Sequence, residues 1–222
     1  MTIKRAIILA AGKSLQLDGE SKVLIRHPKT RRTVLEHAVD AFAGMEITVV
    51  VGYRAIQIMH AYPNLKYVHN QEWALTNNAL SLALALTDEP TYVVSGDIFL
   101  DRALIDRLNQ EGPNLVLSSD REKRALSAIH CVCTDGGQVS ETYQGPIKDV
   151  RHPEAVGLFK VSSTAVLREW KRKCNRHANL FAGQLIPCDI DPIRTAALGE
   201  ELFFEINTPG DYLELIEKSR EE

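Results

Sequence analysis

Residues suited to anion binding lie close to the start of the chain. A short apolar run ends at Leu9, and Ala10–Ser14 then places small residues where backbone N–H groups can approach phosphate oxygens. Lys22 adds a positive charge further along the same segment. The segment is neither a complete P-loop nor a dinucleotide fingerprint, because Ile7 and Ser14 stand where those motifs need glycine. We therefore expect a phosphate-binding loop, with an ordinary turn of small residues as the alternative.

Oxygen ligands for a hard cation follow two later apolar runs. Asp97 comes shortly after Thr91–Val94, and Asn207 comes directly after Leu202–Ile206, with Glu205 two positions before it. In an open α/β sheet ligands bind outside the carboxyl ends of the strands, so these side chains are expected to meet the first loop. Carboxylate and amide oxygens suit Mg²⁺. The alternatives are a helix cap for Asp97, for which Asp101 competes, and a turn for Asn207.

Alternating strand and helix patterns must position these residues. Apolar, β-branched runs predict strands at 3–9, 47–51, 67–68, 91–94, 115–118, 155–161 and 202–206. Helical spacing predicts helices over 34–44, 55–62, 79–86 and 163–173, one containing Leu104 and Leu108, and a last one opened by Pro209. Thr33 and Glu36 form a capping box for the first of these helices.

The later half departs from this alternation. Asp135, Gly136 and Gly137 between the runs 125–133 and 139–143 predict a hairpin, while 174–200 has no pattern that assigns it. We therefore predict an α/β fold with a doubly wound, mostly parallel sheet and an antiparallel elaboration in the later half. At roughly 150 residues per domain, the 222 residues predict a single domain over 1–222.

Composition restricts the partners. The chain has 45% hydrophobic and 25% charged residues, which is typical of folded globular proteins. A net charge of −3 gives no basic bias towards nucleic acid or anionic membranes. No early apolar run approaches the ~20 residues of a membrane span, so we expect a cytoplasmic protein. The 4 cysteines lack metal-ligand spacing, which argues against a zinc site or a disulfide framework.

Three blocks together resemble one enzyme family. Ile8–Ser14 with Lys22 resembles the opening L-A-A-G-x-G-x-R signature of nucleotidyltransferases of the sugar-phosphate and alcohol-phosphate type. Ser95–Asp97 resembles their metal-binding aspartate, and Glu205–Asp211 resembles their closing E-[IV]-[DN]-T-x-x-D block. The blocks occur in the family's order across nearly the whole chain. The resemblance implies a Rossmann-like nucleotidyltransferase fold.

A fourth block narrows the resemblance. Thr76–Leu82 reads T-N-N-x-x-S-L, which is similar to bacterial phosphocholine cytidylyltransferases and their phosphonate-using relatives. This implies CTP as donor, a small phosphonate or phosphomonoester as acceptor, Mg²⁺ as cofactor, pyrophosphate as product, and a homodimer as an expectation from relatives. Uridylyl or guanylyl transfer to a sugar phosphate or cofactor remains the alternative.

The resemblance also implies residue roles. Lys22 is the expected catalytic residue at the α-phosphate, and Asp97 and Asn207 are the expected Mg²⁺ ligands. The expected nucleotide-binding residues are Leu9, Ala10, Ala11, Gly12, Lys13, Ser14, Thr76, Asn77, Ser81 and Gly96.

Two positions depart from the opening signature. Ser14 replaces its second glycine, and Gln16 replaces its arginine, which removes a positive charge from the donor phosphates. Losing one charge-assisted contact costs about 1.5–3 kcal/mol. Lys13, Lys22, Arg26 or a basic residue from elsewhere must compensate; the alternatives are a slow or specialised enzyme and a nucleotide-binding relative without catalysis.

The acceptor is predicted less narrowly. Lys148, with Arg151 and His152, forms a basic cluster that we assign to the acceptor's oxygens, with a solvated loop as the alternative. Glu154 and Glu205 are assigned to the same side. With 6% aromatic residues the chain offers little for a quaternary ammonium, so 2-aminoethylphosphonate or 2-hydroxyethylphosphonate is favoured over phosphocholine.

Overall fold

The computed structural model describes residues 3–120 and 127–221 as an α/β structure. Its strands are β1 (Arg5–Ala10), β2 (Glu46–Val51), β3 (Lys66–His69), β4 (Thr91–Ser95), β5 (Ile98–Leu100), β6 (Asn114–Ser119), β7 (Ile129–Cys133), β8 (Val139–Gln144), β9 (Glu154–Val161), β10 (Arg194–Ala197) and β11 (Phe203–Glu205). Its α-helices are α1 (Val34–Ala41), α2 (Ala55–Ala61), α3 (Asn78–Ala85), α4 (Arg102–Gln110), α5 (Thr164–Arg176) and α6 (Pro209–Glu221). Short 3₁₀ turns lie at Leu15–Leu17, Lys22–Leu24 and Ala182–Leu185.

The main sheet follows the order β10-β6-β9-β4-β1-β2-β3. Its neighbours β3, β2, β1 and β4 run parallel, and β6 pairs in parallel with β10. Strand β9 lies between β4 and β6 and is antiparallel to both. The predicted fold class, a mostly parallel sheet with an antiparallel elaboration, is therefore confirmed.

The central position of β1 explains its apolar sequence. Leu9 pairs with Val50 of β2 on one side and with Ser95 of β4 on the other. A strand flanked on both sides and covered by helices on both faces reads as a continuous hydrophobic run. The loops that follow β1 and β4 consequently leave the sheet next to each other.

The predicted hairpin is formed by β7 and β8 around Asp135–Gly137. It extends the main sheet because Ile129 and His130 of β7 pair with the first residues of β9. We expected the first hairpin strand to begin at residue 125, whereas β7 begins at Ile129, and residues 125–126 lie outside the described part of the chain. The hairpin places its β7 end beside the carboxyl end of β4.

The last strand corrects one expectation. We predicted that residues 202–206 would end at the same edge of the main sheet as β1 and β4, but β11 pairs antiparallel with β5 in a separate two-stranded sheet. The short strand β5, which the sequence patterns did not predict, follows Asp97 directly. Ile206 donates a backbone hydrogen bond to the carbonyl of Asp97 at 2.9 Å, so this small sheet brings Asn207 to Asp97.

Side-chain caps set the starts of several helices. Thr33 and Glu36 form the predicted capping box of α1. Asn77 caps α3, and Asp101 caps α4 by accepting from the Leu104 N–H at 3.0 Å. The alternative role of Asp97 as the cap of α4 is therefore wrong.

The stretch 174–200, which carried no sequence assignment, closes one face of the sheet. It contains the end of α5, the 3₁₀ turn Ala182–Leu185 and β10. Trp170 of α5 is fully buried and donates its indole N–H to the Ala182 carbonyl at 2.8 Å. This contact fixes the turn against the core. Among residues 3–120 and 127–221, no helix has the length and apolar character to cross a bilayer.

Candidate active site

A cavity of 490 Å³ opens at the carboxyl ends of β1 and β4. The segment after β1 forms one wall, and the segment after β4 forms the opposite one. The start of α3 contributes a third wall. Of the residues predicted to bind nucleotide, Leu9, Ala10, Gly12, Lys13, Ser14, Asn77 and Gly96 line this cavity.

A second cavity of 250 Å³ adjoins the first. Its walls come from the β7 end of the hairpin, from β9, from the 3₁₀ turn after Phe181 and from Glu205 of β11. Lys22, Asp97 and Asn207 line both cavities. Leu9, Asn78 and Ser95 also line both, so the two cavities are compartments of one cleft, joined at these six residues.

Lys22 is the centre of this junction. Its Nζ donates to Asp97 Oδ2 at 2.8 Å and to Asn207 Oδ1 at 2.6 Å. The lysine and aspartate side chains are 22% and 18% exposed, so their ion pair is partly shielded from water. The structure thus brings together the three residues that the sequence assigned to catalysis and metal binding.

Burial sets the electrostatics of Asp97. Desolvation raises the pKa of its carboxyl group above the usual range, the Lys22 ammonium opposes this rise, and nearby Glu205 reinforces it. Within the described residues, the second carboxylate oxygen of Asp97, Oδ1, is buried and has no hydrogen-bond partner. A buried carboxylate oxygen in this position is suited to a cation.

The donor set fits a magnesium ion bound together with substrate phosphates. Asp97 and Asn207 direct oxygens towards one point, which Lys22 Nζ occupies here. No group of three or more His, Cys, Asp or Glu within residues 3–120 and 127–221 could hold a metal by itself. Mg²⁺ sites that use one or two protein ligands and complete the shell with phosphates and water have this composition.

The start of α6 fixes Asn207. Asp211 Oδ2 accepts from the backbone N–H groups of Asn207 and Thr208 at 2.8 and 2.7 Å. Thr208 Oγ1 accepts from the Asp211 N–H at 3.2 Å. This reciprocal arrangement explains the T-x-x-D end of the last sequence block, because it holds the Asn207 amide at the cleft.

Gly96 allows the ends of β1 and β4 to lie close to each other at the floor of the cleft. Its N–H donates to the Leu9 carbonyl at 2.9 Å. A Cβ on Gly96 would lie 2.6 Å from the Leu9 carbonyl oxygen and 2.8 Å from Val23 Cγ1. A side chain at this position therefore displaces the loop that carries Lys22.

We expect Gly96→Ala to lower the free energy of unfolding by about 1–3 kcal/mol, the usual cost of overpacking a filled site. Chemical denaturation measures this loss. Gly136→Ala is the matched control, because nothing lies within 4 Å of a Cβ at that turn position. Equal stability of the two variants would contradict the close packing described for Gly96.

Three residues predicted to bind nucleotide do not line either cavity. Ser81 is 3% exposed and accepts from Asn70 Nδ2 at 3.0 Å, while Thr76 Oγ1 donates to the Glu72 carbonyl at 2.8 Å. Neither lines a cavity. Ala11 is buried, and its carbonyl accepts from the Tyr53 N–H. These residues hold the loops that carry Asn77 and Gly12.

The cleft contains other positive charges in place of the arginine that Gln16 replaces. Gln16 lines the larger cavity, together with Lys13 and Lys22. Lys13 is exposed, and its Nζ lies 5.5 Å from the centre of the Tyr53 ring. Arg26 does not compensate, since it donates to the Arg31 carbonyl at 2.7 Å and lines neither cavity. Lys13 and Lys22 are therefore the described cations that face this space.

Only some of the residues predicted to bind the acceptor line the cleft. Glu154, which is 7% exposed, and Glu205 line the smaller cavity. Lys148 does not, and its Nζ lies over the Tyr143 ring at 4.2 Å. Arg151 pairs with Asp149 on the surface. Lys148 and Arg151 thus lie outside the cavity lining, which favours the alternative interpretation of a solvated loop.

Sequence reasoning missed two parts of the cleft. Asn78 lines both cavities, and the available signal was the second asparagine of the T-N-N block. Ala182 and Gly183 form a wall of the smaller cavity beside Phe181, an aromatic residue that the sequence offers as an acceptor-pocket candidate, within the stretch that gave no pattern. No local signal in that stretch marks it as part of a site.

The fold and the cleft define a protein of the nucleotidyltransferase class. A model of the MobA-like NTP transferase domain matches residues 6–185, and the chain belongs to this family. Among solved structures, CTP:phosphocholine cytidylyltransferase from Streptococcus pneumoniae is similar with a TM-score of 0.76 and 20% identity, covering 98% of this chain and 100% of that one. The inositol-1-phosphate CTP transferase from T. maritima is similar with a TM-score of 0.72 and 18% identity, covering 99% of this chain and 97% of that one. These likenesses establish the fold.

Curated proteins are similar over part of their length. The CMP-5'-(3-aminopropyl)phosphonate synthase of Streptomyces rubellomurinus is 27% identical over 181 residues, which is 74% of this chain and 28% of that protein. The bifunctional protein GlmU of Paraburkholderia xenovorans is 34% identical over 119 residues, 48% of this chain and 26% of that protein. The chain therefore spans about a quarter of the length of each of these relatives.

Proposed function

We propose that this protein is a Mg²⁺-dependent cytidylyltransferase that transfers CMP from CTP to a small phosphonate or phosphomonoester and releases pyrophosphate. The observation that carries the proposal is the junction of the two cavities. There, Lys22 Nζ lies within 2.8 Å of Asp97 and Asn207, between a space of 490 Å³ and one of 250 Å³. We assign the larger space to the nucleotide and the smaller one to the acceptor.

CTP as donor is supported by the relatives. The phosphonate synthase, the phosphocholine enzyme and the inositol phosphate enzyme are all named for CMP or CTP chemistry. Uridine and thymidine nucleotide enzymes share the fold at similar TM-scores, so nucleotide choice has to be measured.

The proposed reaction forms one bond and breaks one. An anionic oxygen of the acceptor forms a bond to the α-phosphorus of CTP, the bond from that phosphorus to the bridging oxygen breaks, and pyrophosphate leaves with the electron pair. An ionised acceptor oxygen needs no general base and no nucleophilic side chain. Catalysis of such a transfer consists mainly of positioning and charge stabilisation.

The residues of this chain supply both the positioning and the charge stabilisation. Lys22 has to leave its bonds to Asp97 and Asn207 in order to reach the α-phosphate and the departing pyrophosphate. Ala10 and residues 12–14, with the Lys13 side chain, line the larger space and would face the remaining phosphates. Asp97 and Asn207 would hold Mg²⁺, which when bound supplies charge neutralisation to the phosphate oxygens.

The smaller cavity favours an acceptor with an amino group. Its 250 Å³ lies below the range of about 300–1,000 Å³ for drug-sized ligands. Glu154 and Glu205 place carboxylates in its lining, while its described aromatic residues are Phe159 and Phe181. An acceptor with phosphorus oxygens near Lys22 and an ammonium near Glu154 fits these charges, and 2-aminoethylphosphonate has that form.

The test is pyrophosphate release from CTP, UTP or GTP with 2-aminoethylphosphonate, 2-hydroxyethylphosphonate or phosphocholine, with and without Mg²⁺. We expect CTP with 2-aminoethylphosphonate to exceed the other nucleotides at least 100-fold in kcat/KM, because a site that hydrogen-bonds one base leaves buried groups unpaired with another. Release that is highest with UTP or GTP, or unchanged on Mg²⁺ removal by EDTA, would contradict the proposal. Binding of CTP without turnover of any acceptor would support the non-catalytic alternative suggested by Gln16.

A further inference from the structure

Asn78 is a further polar residue at the junction of the two cavities. It lines both spaces, as Lys22, Asp97 and Asn207 do. Its neighbour Asn77 lines the larger space alone. A residue in this position faces the point at which a group passes from nucleotide to acceptor.

The structure fixes the orientation of the Asn78 side chain. Asn78 Oδ1 accepts from the Ala182 N–H at 2.7 Å. A backbone N–H can only donate, so the carbonyl end of the amide must face Ala182 and the NH₂ end must face away from it. Trp170 in turn holds the Ala182 carbonyl, which makes this anchor part of the core.

The NH₂ end remains available. Within residues 3–120 and 127–221, Asn78 Nδ2 donates no hydrogen bond, and the side chain is partly exposed. That exposure is into the cleft, because Asn78 lines both cavities. The amide is thus a donor held in place by the protein and directed into the cleft.

We propose that Asn78 Nδ2 donates a hydrogen bond to an oxygen of the phosphoryl group that is transferred at the junction; this inference rests on the proposed cytidylyl transfer. Negative charge on these oxygens has to be stabilised while the acceptor oxygen and pyrophosphate are both partly bonded to phosphorus. Lys22 supplies a charge and Asn78 supplies a donor from α3. A donor that is already oriented needs no reorganisation during the reaction.

Asn78→Asp is the decisive variant. An aspartate retains an oxygen for the Ala182 N–H and replaces only the NH₂ group with an oxygen that repels phosphate. We expect kcat to fall at least 100-fold, as for loss of one preorganised donor, and KM for CTP to rise about tenfold, because the new carboxylate also repels the bound triphosphate. Thermal unfolding should stay within about 2 °C, because a purely structural role at Ala182 is preserved.

Asn114→Asp is the matched control. Asn114 Oδ1 also accepts backbone N–H groups, those of Ser162 and Ser163 at 3.0 and 3.1 Å, and the residue lines neither cavity. Assayed below its own melting temperature, this variant should keep kcat within twofold of the unaltered chain. Equal losses in the two variants, or full activity of Asn78→Asp, would overturn the inference. If Asn78→Asp fails to fold, Asn78→Ala assayed below its own melting temperature gives the same comparison.

The two proposals can fail separately. Pyrophosphate release by the unaltered chain tests cytidylyl transfer before any variant is made. If the unaltered chain turns over no nucleotide, calorimetric titration with CTP and Mg²⁺ still tests Asn78. Asn78→Asp should then bind at least tenfold more weakly than Asn114→Asp, and equal affinities would overturn the inference.

Discussion

Lys22→Met should lower the rate of CMP transfer by about 10³-fold or more while the chain stays folded. The lysine is the described cation at the junction of the two cavities, and it lies within hydrogen-bond distance of both expected metal ligands. Removing one electrostatic stabiliser of a phosphoryl transfer costs 10²–10⁵-fold in comparable sites. Single-turnover measurement of CMP transfer gives the effect on the chemical step.

The stability of the same variant follows from the ion pair. Loss of Lys22 leaves Asp97 without its cation, but the pair is about one-fifth exposed, so its loss should cost between the values for surface and buried pairs, about 1–2 kcal/mol. The raised pKa of Asp97 limits this cost because the carboxyl group can take up a proton. Urea denaturation at pH 7 measures it.

Lys13→Met is the control for Lys22. Lys13 faces the same nucleotide cavity but is exposed and does not line the acceptor cavity. Its loss should weaken CTP binding about tenfold and leave kcat nearly unchanged. Transfer rates that fall equally in both variants would mean that Lys22 acts only as one more positive charge, and the junction would then lose its special role.

Much of this site could be predicted from the sequence, and the reasons differ by residue. The loop after Leu9 and the position of Asp97 follow from a simple rule, because parallel strands end at one edge of the sheet. Asn207 was correctly expected near Asp97, but the strand pairing that brings it there is not the predicted one. It arrives through the antiparallel pair β5 and β11, and a three-residue strand leaves no periodic signal.

The remaining differences between the expected and the observed cavity lining have a common physical cause. Thr76 and Ser81 belong to the block that carries the resemblance, but the block does not indicate side-chain direction, and both face the protein interior or backbone. Asn78 faces the cleft because Ala182, more than a hundred positions away, holds its amide. Long-range contacts of this kind decide which member of a polar run reaches the ligand, and local sequence does not contain them.

Asp97→Asn should abolish Mg²⁺-dependent transfer, with a loss of about 10³-fold, and leave the fold intact. The asparagine has nearly the same shape, its carbonyl oxygen can still accept from Lys22, and the backbone bond from Ile206 to residue 97 is unchanged. What is lost is the negative charge that a divalent cation requires. Transfer rates measured over a range of Mg²⁺ concentrations should show no saturable activation.

Asp101→Ala should have the opposite effects on stability and on Mg²⁺-dependent turnover. The comparison therefore separates the loss of a charge at the cleft from the loss of a structural contact. Asp101 follows the opposite end of β5 from Asp97, where it caps α4 and also accepts from the Leu202 N–H at 3.2 Å. Removing a cap costs about 0.5–2 kcal/mol, so Asp101→Ala should melt earlier than Asp97→Asn. It should keep Mg²⁺-dependent turnover below its melting temperature, since its side chain lines neither cavity. If Asp97→Asn loses stability and retains Mg²⁺ activation, the carboxylate at the junction is a structural group, and the cation must be held by other oxygens.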